Sequence, residues 1–75
     1  MPQKLPALKP AEMIKALDKA GFKIVRQTGS HAIMWKPGLK RPIPVPIHQK
    51  ELKRTFQTKI IKQAGLTPEQ FRDLL

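Results

Sequence analysis

The 75-residue chain has no cysteine and no tyrosine, and only five acidic residues against fifteen basic ones. Without cysteine it can form neither a disulfide nor a thiolate zinc site. Two-metal nucleases need clustered carboxylates, and here these are scattered. The acidic residues are Glu12, Asp18, Glu51, Glu69 and Asp73. We therefore expect no metal site and no other cofactor.

Long apolar runs are also missing. No stretch approaches the ~20 residues that span a bilayer. The first ten residues mix three prolines with polar and basic side chains, unlike a signal peptide. We expect a cytoplasmic protein with no membrane partner. Residues 1–9 are predicted to be a flexible arm and residues 10–75 a single small domain.

Positive charge is what the chain has in excess. The formal net charge is +10 and the isoelectric point is about 10.6. Such an excess attracts nucleic acid, anionic membranes or acidic proteins over long range. The composition alone does not choose among these three partners.

Two helices are predicted with the same kind of ending. The first begins at Pro10, which suits the first helical turn because its missing N–H is not needed there, and it ends at Gly21. The second is predicted to begin after a Thr55 cap and to end at Gly65. Each glycine follows an alanine and precedes an apolar residue, a pattern typical of the Schellman ending.

A tight turn at Gly29-Ser30 is the most informative feature of the chain. It separates two strand-like runs, residues 22–28 and 31–36. A Gly-Ser pair in this context predicts a two-residue hairpin in which Gly29 supplies a positive φ. The turn leaves His31 at the start of the second strand, near the end of the sheet. Histidine can take or give a proton near neutral pH.

The two-residue turn also predicts how the strands pair. Arg26 is expected opposite Ile33, and Ile24 opposite Trp35. One face of the hairpin is then expected to be buried. That face consists of Phe22, Ile24, Ile33 and Trp35.

The third strand, residues 42–47, has a proline at every second position. Because alternate residues point their N–H groups to opposite edges, the missing donors lie on one edge, and the strand suits the outside of a sheet. A short last helix begins at a capping box of Thr67 and Gln70. The order helix, three antiparallel strands, helix, short helix predicts a two-layer α+β domain with the helices on one face of the sheet.

Metal-free cleavage of RNA is the chemistry that these residues suit. RNA carries its own nucleophile, the 2′-hydroxyl, so a base and a cation beside the phosphate suffice. His31 is the candidate general base or acid, Ser30 is a weaker catalytic candidate, and Gly29 shapes the turn. The candidate RNA-binding cations are Lys36, Lys50, Lys53, Arg54 and Lys59. From these patterns alone, an idle histidine and a merely solvated basic surface remain alternatives.

From about residue 10 to residue 66, the chain resembles the HicA toxin family of small basic mRNA interferases. The matching segments are Lys19-Ala20-Gly21-Phe22, Val25-Arg26-Gln27-Thr28-Gly29-Ser30-His31, Val45-Pro46-Ile47-His48, Lys50-Glu51-Leu52-Lys53 and Ile61-Lys62-Gln63-Ala64-Gly65-Leu66. The chain departs from the family pattern at Arg54-Thr55, where Gly-Thr is usual, in the following Phe56-Gln57-Thr58, and in its prolines at 42, 44 and 46.

The resemblance implies a fold similar to the double-stranded-RNA-binding domain and metal-independent cleavage of mRNA with His31 as the catalytic histidine. It also implies a cognate acidic antitoxin of the HicB type that covers the toxin. Two other functions stay open. One is a catalytically silent RNA-binding module of the same fold, and the other is a protein that binds anionic membranes or acidic proteins.

Overall fold

The computed structural model describes residues 7–75. Its elements are α1 (Pro10–Lys19), β1 (Lys23–Gln27), β2 (His31–Trp35), β3 (Ile43–Pro46), α2 (Arg54–Gln63) and α3 (Pro68–Arg72). The strands form one antiparallel sheet in the order β1-β2-β3. Buried side chains from all three helices pack with those of β2 and β3 in one core. The predicted α+β architecture, similar to the double-stranded-RNA-binding domain, is confirmed.

The core lies between the helices and one face of β2 and β3. Ala32 pairs with Val45 and Met34 with Ile43, and these four side chains are buried. Because successive strand residues point to opposite faces, this alternation assigns one face of the sheet to the helices. The helices, and the turn that follows α1, contribute Met13, Leu17, Phe22, Ile60, Ile61 and Phe71.

A buried glutamine joins the chain before α1 to α2. Gln57 is 1% exposed, and its Oε1 accepts a hydrogen bond of 2.6 Å from the N–H of Leu8. The carbonyl of Leu8 accepts a second bond, 2.7 Å, from the N–H of Leu52. Leu8 is itself buried, so this position of the predicted arm is part of the packed domain. Residues 1–6 of that arm lie outside the described residues.

Both long helices end as predicted. The N–H of Phe22 donates to the carbonyl of Leu17, and the N–H of Leu66 donates to the carbonyl of Ile61. Gly21 and Gly65 have positive φ angles of +99° and +76°. These are Schellman endings.

The beginnings of the helices match the predictions only in part. α3 begins with the predicted capping box, in which the Thr67 hydroxyl accepts from the N–H of Gln70. The prediction that Thr55 caps α2 is wrong. The helix already begins at Arg54, and its N-cap residue is Lys53, whose side chain makes no capping bond.

The β1–β2 pairing is as predicted near the turn and differs farther along. Arg26 lies opposite Ile33, but Ile24 lies opposite Met34 rather than Trp35, because an irregularity between Ile24 and Arg26 shifts the register. Such a bulge adds one residue to a strand, so the side chains on its two sides no longer alternate in phase.

The predicted buried face of the hairpin is therefore largely wrong. Phe22 is buried, but Ile24 is 45% exposed, and Ile33 and Trp35 are only half-buried. Ala32 and Met34 face the helices instead. The reason is that β2 is the central strand, so its pairing with β3 decides which of its faces is covered.

β3 forms an edge of the sheet, as its prolines predict. Pro44 and Pro46 lie opposite Ile33 and His31. The N–H of Ile47, the residue after Pro46, donates 3.0 Å to the carbonyl of Ser30. The alternate residues thus supply the donors to β2, and the positions without an N–H face the outside.

Candidate active site at the hairpin tip

A threonine closes the turn between β1 and β2. The backbone N–H of Thr28 donates 2.9 Å to the carbonyl of His31. In return, the N–H of His31 donates 3.0 Å to Thr28 Oγ1 rather than to the Thr28 carbonyl. The N–H of Ser30 also points to Thr28 Oγ1, at 3.3 Å. A side-chain oxygen therefore takes the place of a backbone acceptor, as in turns built on serine or threonine.

The prediction that Gly29 supplies a positive φ to this turn is wrong. Gly29 is not among the positive-φ residues of the described chain, and a Cβ built on it would meet no atom within 4 Å. Because Thr28 bends the chain with its hydroxyl, the turn does not require a left-handed residue at position 29.

His31 is held from one side by its neighbour. Its Nδ1 lies 2.9 Å from Ser30 Oγ, and the residue is half-buried at the start of β2. When Nδ1 carries the ring proton and donates it to Ser30 Oγ, Nε2 keeps a lone pair that can accept a proton. The structure thus brings Ser30 and His31 together in an arrangement suited to a general base.

A second histidine lies at the same turn. His48 follows β3, and its Nε2 is hydrogen-bonded to the carbonyl of Gly29. Two segments of the chain therefore meet here, residues 28–31 and His48. We call these five residues the hairpin tip.

The predicted cations Lys50, Lys53, Arg54 and Lys59 are all exposed. Lys50 lies in the connector two residues after His48, Lys53 is the N-cap of α2, and Arg54 is its first residue. Lys59 lies about 7.5 Å farther along the helix axis than Arg54, at 1.5 Å per residue. The first turn of α2 contains no acidic residue, so the partial positive charge of the helix start is not offset there.

Lys36, the remaining predicted cation, is half-buried. It follows β2 at the end opposite to His31, roughly 17 Å away along the strand at ~3.3 Å per residue. Its Nζ lies 5.0 Å from the centre of the Phe22 ring. This cation–π contact gives Lys36 a packing role, and the structure does not bring it to the hairpin tip.

Residues 7–75 were compared with the requirements of a metal site and of a membrane-spanning helix. No three His, Asp or Glu side chains among residues 7–75 come close enough to hold an ion together. No helix in that range is long and apolar enough to cross a membrane.

Sequence reasoning missed Thr28 and His48 as parts of the tip. Thr28 could have been found from its hydroxyl two residues before Ser30, since such residues bond to the backbone of tight turns. His48 could have been found only by extending the β2–β3 pairing two residues past Pro46. That register depends on contacts distant in sequence.

Comparison with known families gives one result. The family model described as the HicA toxin of bacterial toxin–antitoxin systems matches residues 10–66, which includes the whole hairpin tip. No curated protein sequence matches the chain significantly.

Proposed function

The chain belongs to the HicA toxin family, and we propose that it is an endoribonuclease that cleaves mRNA without a metal ion. The observation that carries the proposal is the pairing of His31 Nδ1 with Ser30 Oγ. It leaves the other ring nitrogen of His31 for proton transfer at a strand end, within a strongly basic protein.

The reaction begins with a general base of this kind. His31 Nε2 takes the proton of the ribose 2′-hydroxyl, and the 2′-oxygen attacks the adjacent phosphorus. The bond from phosphorus to the 5′-oxygen of the next nucleotide breaks, and the departing oxygen takes up one proton. The products are a 2′,3′-cyclic phosphate and a 5′-hydroxyl. General base catalysis by a positioned histidine contributes typically 10²–10⁴-fold to a rate.

The cations supply the positive charge that the reaction needs beside the phosphate. Charge builds on the phosphate oxygens during attack, and fixed positive groups stabilise it. Lys50, Lys53 and Arg54 lie in the connector and helix start that follow His48. We propose that these three bind the RNA backbone, with Lys59 extending the track along α2.

The partner follows from the family. A toxin of a toxin–antitoxin pair has an antitoxin, and we propose that here it is an acidic protein of the HicB type. A chain of net charge +10 would attract such a protein to the same surface that attracts RNA. Covering the hairpin tip would then silence cleavage in the cytoplasm, where mRNA is found.

The alternative is a catalytically silent RNA-binding module. Both functions predict binding that weakens steeply with salt, because phosphate contacts release counterions. They differ in the products and in the importance of His31.

The test is cleavage of RNA by purified protein in the presence of EDTA. We expect the wild type to cut and His31→Ala to lose at least 10²-fold in rate, while keeping its melting temperature and its affinity for RNA. Growth inhibition on expression should be lost with cleavage. Wild-type rates in His31→Ala would contradict the assignment of the base, and no cleavage by either protein would favour the silent module.

A further inference from the structure

We propose that His48 is the second catalytic residue of this site, the general acid that protonates the leaving 5′-oxygen. The inference rests on the proposed ribonuclease function and deepens it. A base alone leaves the reaction incomplete, since the departing alkoxide must receive a proton. The structure brings one other imidazole to the tip that holds His31.

The pairing of β2 with β3, extended by two hydrogen bonds past Pro46, brings His31 and His48 to the same end of the sheet. His31 lies opposite Pro46, the N–H of Ile47 donates to Ser30, and the ring of His48 reaches Gly29. Residues 31 and 48 are thus diagonal neighbours in the continued ladder, whose Cα atoms are roughly 7–8 Å apart. This spacing leaves room for a phosphate group between two imidazoles that each form a hydrogen bond to it.

The bond to Gly29 defines which nitrogen of His48 is free. A backbone carbonyl only accepts hydrogen bonds, so Nε2 of His48 must carry the proton of that bond. Nδ1 is then the nitrogen that gains or loses the second proton. In the same way, Ser30 engages Nδ1 of His31 and leaves Nε2. Each ring is therefore oriented by one bond to the turn and has one nitrogen left for chemistry.

Three ionisable groups are placed beside His48 by strand pairing or by chain position. His31 lies on β2, and Lys50 and Glu51 follow His48 in the connector. Lys50 and Glu51 are of opposite sign and exposed.

The complete reaction involves one proton transfer to His31 and one from His48. The 2′-hydroxyl proton moves to Nε2 of His31 as the bond from the 2′-oxygen to phosphorus forms. The bond from phosphorus to the 5′-oxygen breaks, and the Nδ1 proton of cationic His48 moves to that oxygen. The enzyme is left with a cationic His31 and a neutral His48, and proton exchange with water restores the starting form.

A purely positioning role is the competing explanation, because the same bond fixes the carbonyl of Gly29. His48→Gln separates the two, since an amide can still donate to that carbonyl but cannot transfer a proton at neutral pH. A substrate with sulfur in place of the scissile 5′-oxygen separates them again. A thiolate leaves without protonation, so this RNA needs no general acid.

The experiment compares wild type, His48→Gln, His48→Ala and His31→Ala on one RNA oligonucleotide, in EDTA. The oligonucleotide carries either oxygen or sulfur at the 5′ position of the bond that wild type cuts fastest. We expect both His48 variants to cut the oxygen form 10²–10⁴-fold more slowly and to approach the wild-type rate on the sulfur form. His31→Ala should be slow on both. In wild type, kcat/KM should fall at alkaline pH because the acid must be protonated, and this fall should be missing in His48→Gln.

The outcomes distinguish the two proposals. Two outcomes would show that His48 is not the acid while the proposed function stands. In the first, His48→Gln cuts the oxygen form as fast as wild type does. In the second, both His48 variants are as slow, relative to wild type, on the sulfur form as on the oxygen form. If wild type cuts neither form, the ribonuclease function fails and the acid with it. Melting temperatures of the four proteins verify that each is folded.

Discussion

The hairpin tip and the helix-facing core differ in what holds their residues in place. In the core, side chains such as Met13, Met34 and Ile43 have no exposed surface and belong to one buried apolar cluster. At the tip, Thr28 and His48 are exposed and are held by hydrogen bonds to the backbone of the turn.

This difference separates stability from chemistry. Burial of apolar surface is the main source of folding free energy, so the core determines whether the chain folds. Exposed polar groups contribute little to it. Because His48 is exposed and His31 lies outside the buried core, we expect both to be exchangeable without unfolding the domain. Activity measured on these variants then reports on the site itself.

The largest effect is expected from truncating the core side of β2. Met34→Ala should lower the free energy of unfolding by about 2–5 kcal/mol, the usual cost of removing a fully buried side chain of this size. Ile33→Ala is the matched control on the other, half-buried face of the same strand, and we expect a smaller loss. Urea denaturation measures both. Equal losses would contradict the burial difference between the two faces.

The two glycines Gly21 and Gly29 provide the next comparison. Gly21 has a φ of +99°, which costs an alanine roughly 1–2 kcal/mol, so Gly21→Ala should lower stability by that amount. Gly29 has no positive φ, and its Cβ position is open. Gly29→Ala should therefore change stability by less than ~0.5 kcal/mol.

Thermal melting checks this pair. A large loss of stability in Gly29→Ala would show that the turn depends on a conformation that alanine avoids. If the variant is stable but cleaves RNA poorly, the open space at Gly29 is needed by the RNA rather than by the fold.

Much of the fold could be predicted because its determinants are local. The Schellman endings at Gly21 and Gly65, the capping box at Thr67 and the prolines of β3 each act within a few residues. Patterns of this range can be recognised in a sequence without knowledge of the rest of the structure.

The errors in the sheet arose where contacts distant in sequence decide, whereas the error at Gly29 was local. Whether Met34 or Trp35 faces the helices depends on the pairing of β2 with β3 and on the bulge in β1. The turn was predicted from the usual requirement for a positive φ, and the hydroxyl of Thr28 removed that requirement. His31 was found from its position after the turn, whereas His48 joins the tip only through the fold.

The smallest effect tests how far the functional region extends from the tip. Lys53 is the N-cap of α2 and Lys62 lies in its last turn, about 13.5 Å apart along the axis at 1.5 Å per residue. Each carries one positive charge and each is exposed, so Lys53→Ala and Lys62→Ala change the net charge equally. If Lys53 contacts one phosphate, its loss should reduce the slope of log K against log salt by ~0.7 for single-stranded RNA.

Lys62→Ala should leave the salt slope unchanged if the RNA contacts the start of α2 and not its last turn. Fluorescence anisotropy with a labelled oligonucleotide between low and moderate salt measures both slopes, and His31→Ala as background prevents cleavage during the titration. Equal slopes for the two variants would mean that RNA responds to the total charge of the protein. A difference confined to Lys53 would instead join the start of α2 to the hairpin tip as one RNA-binding surface.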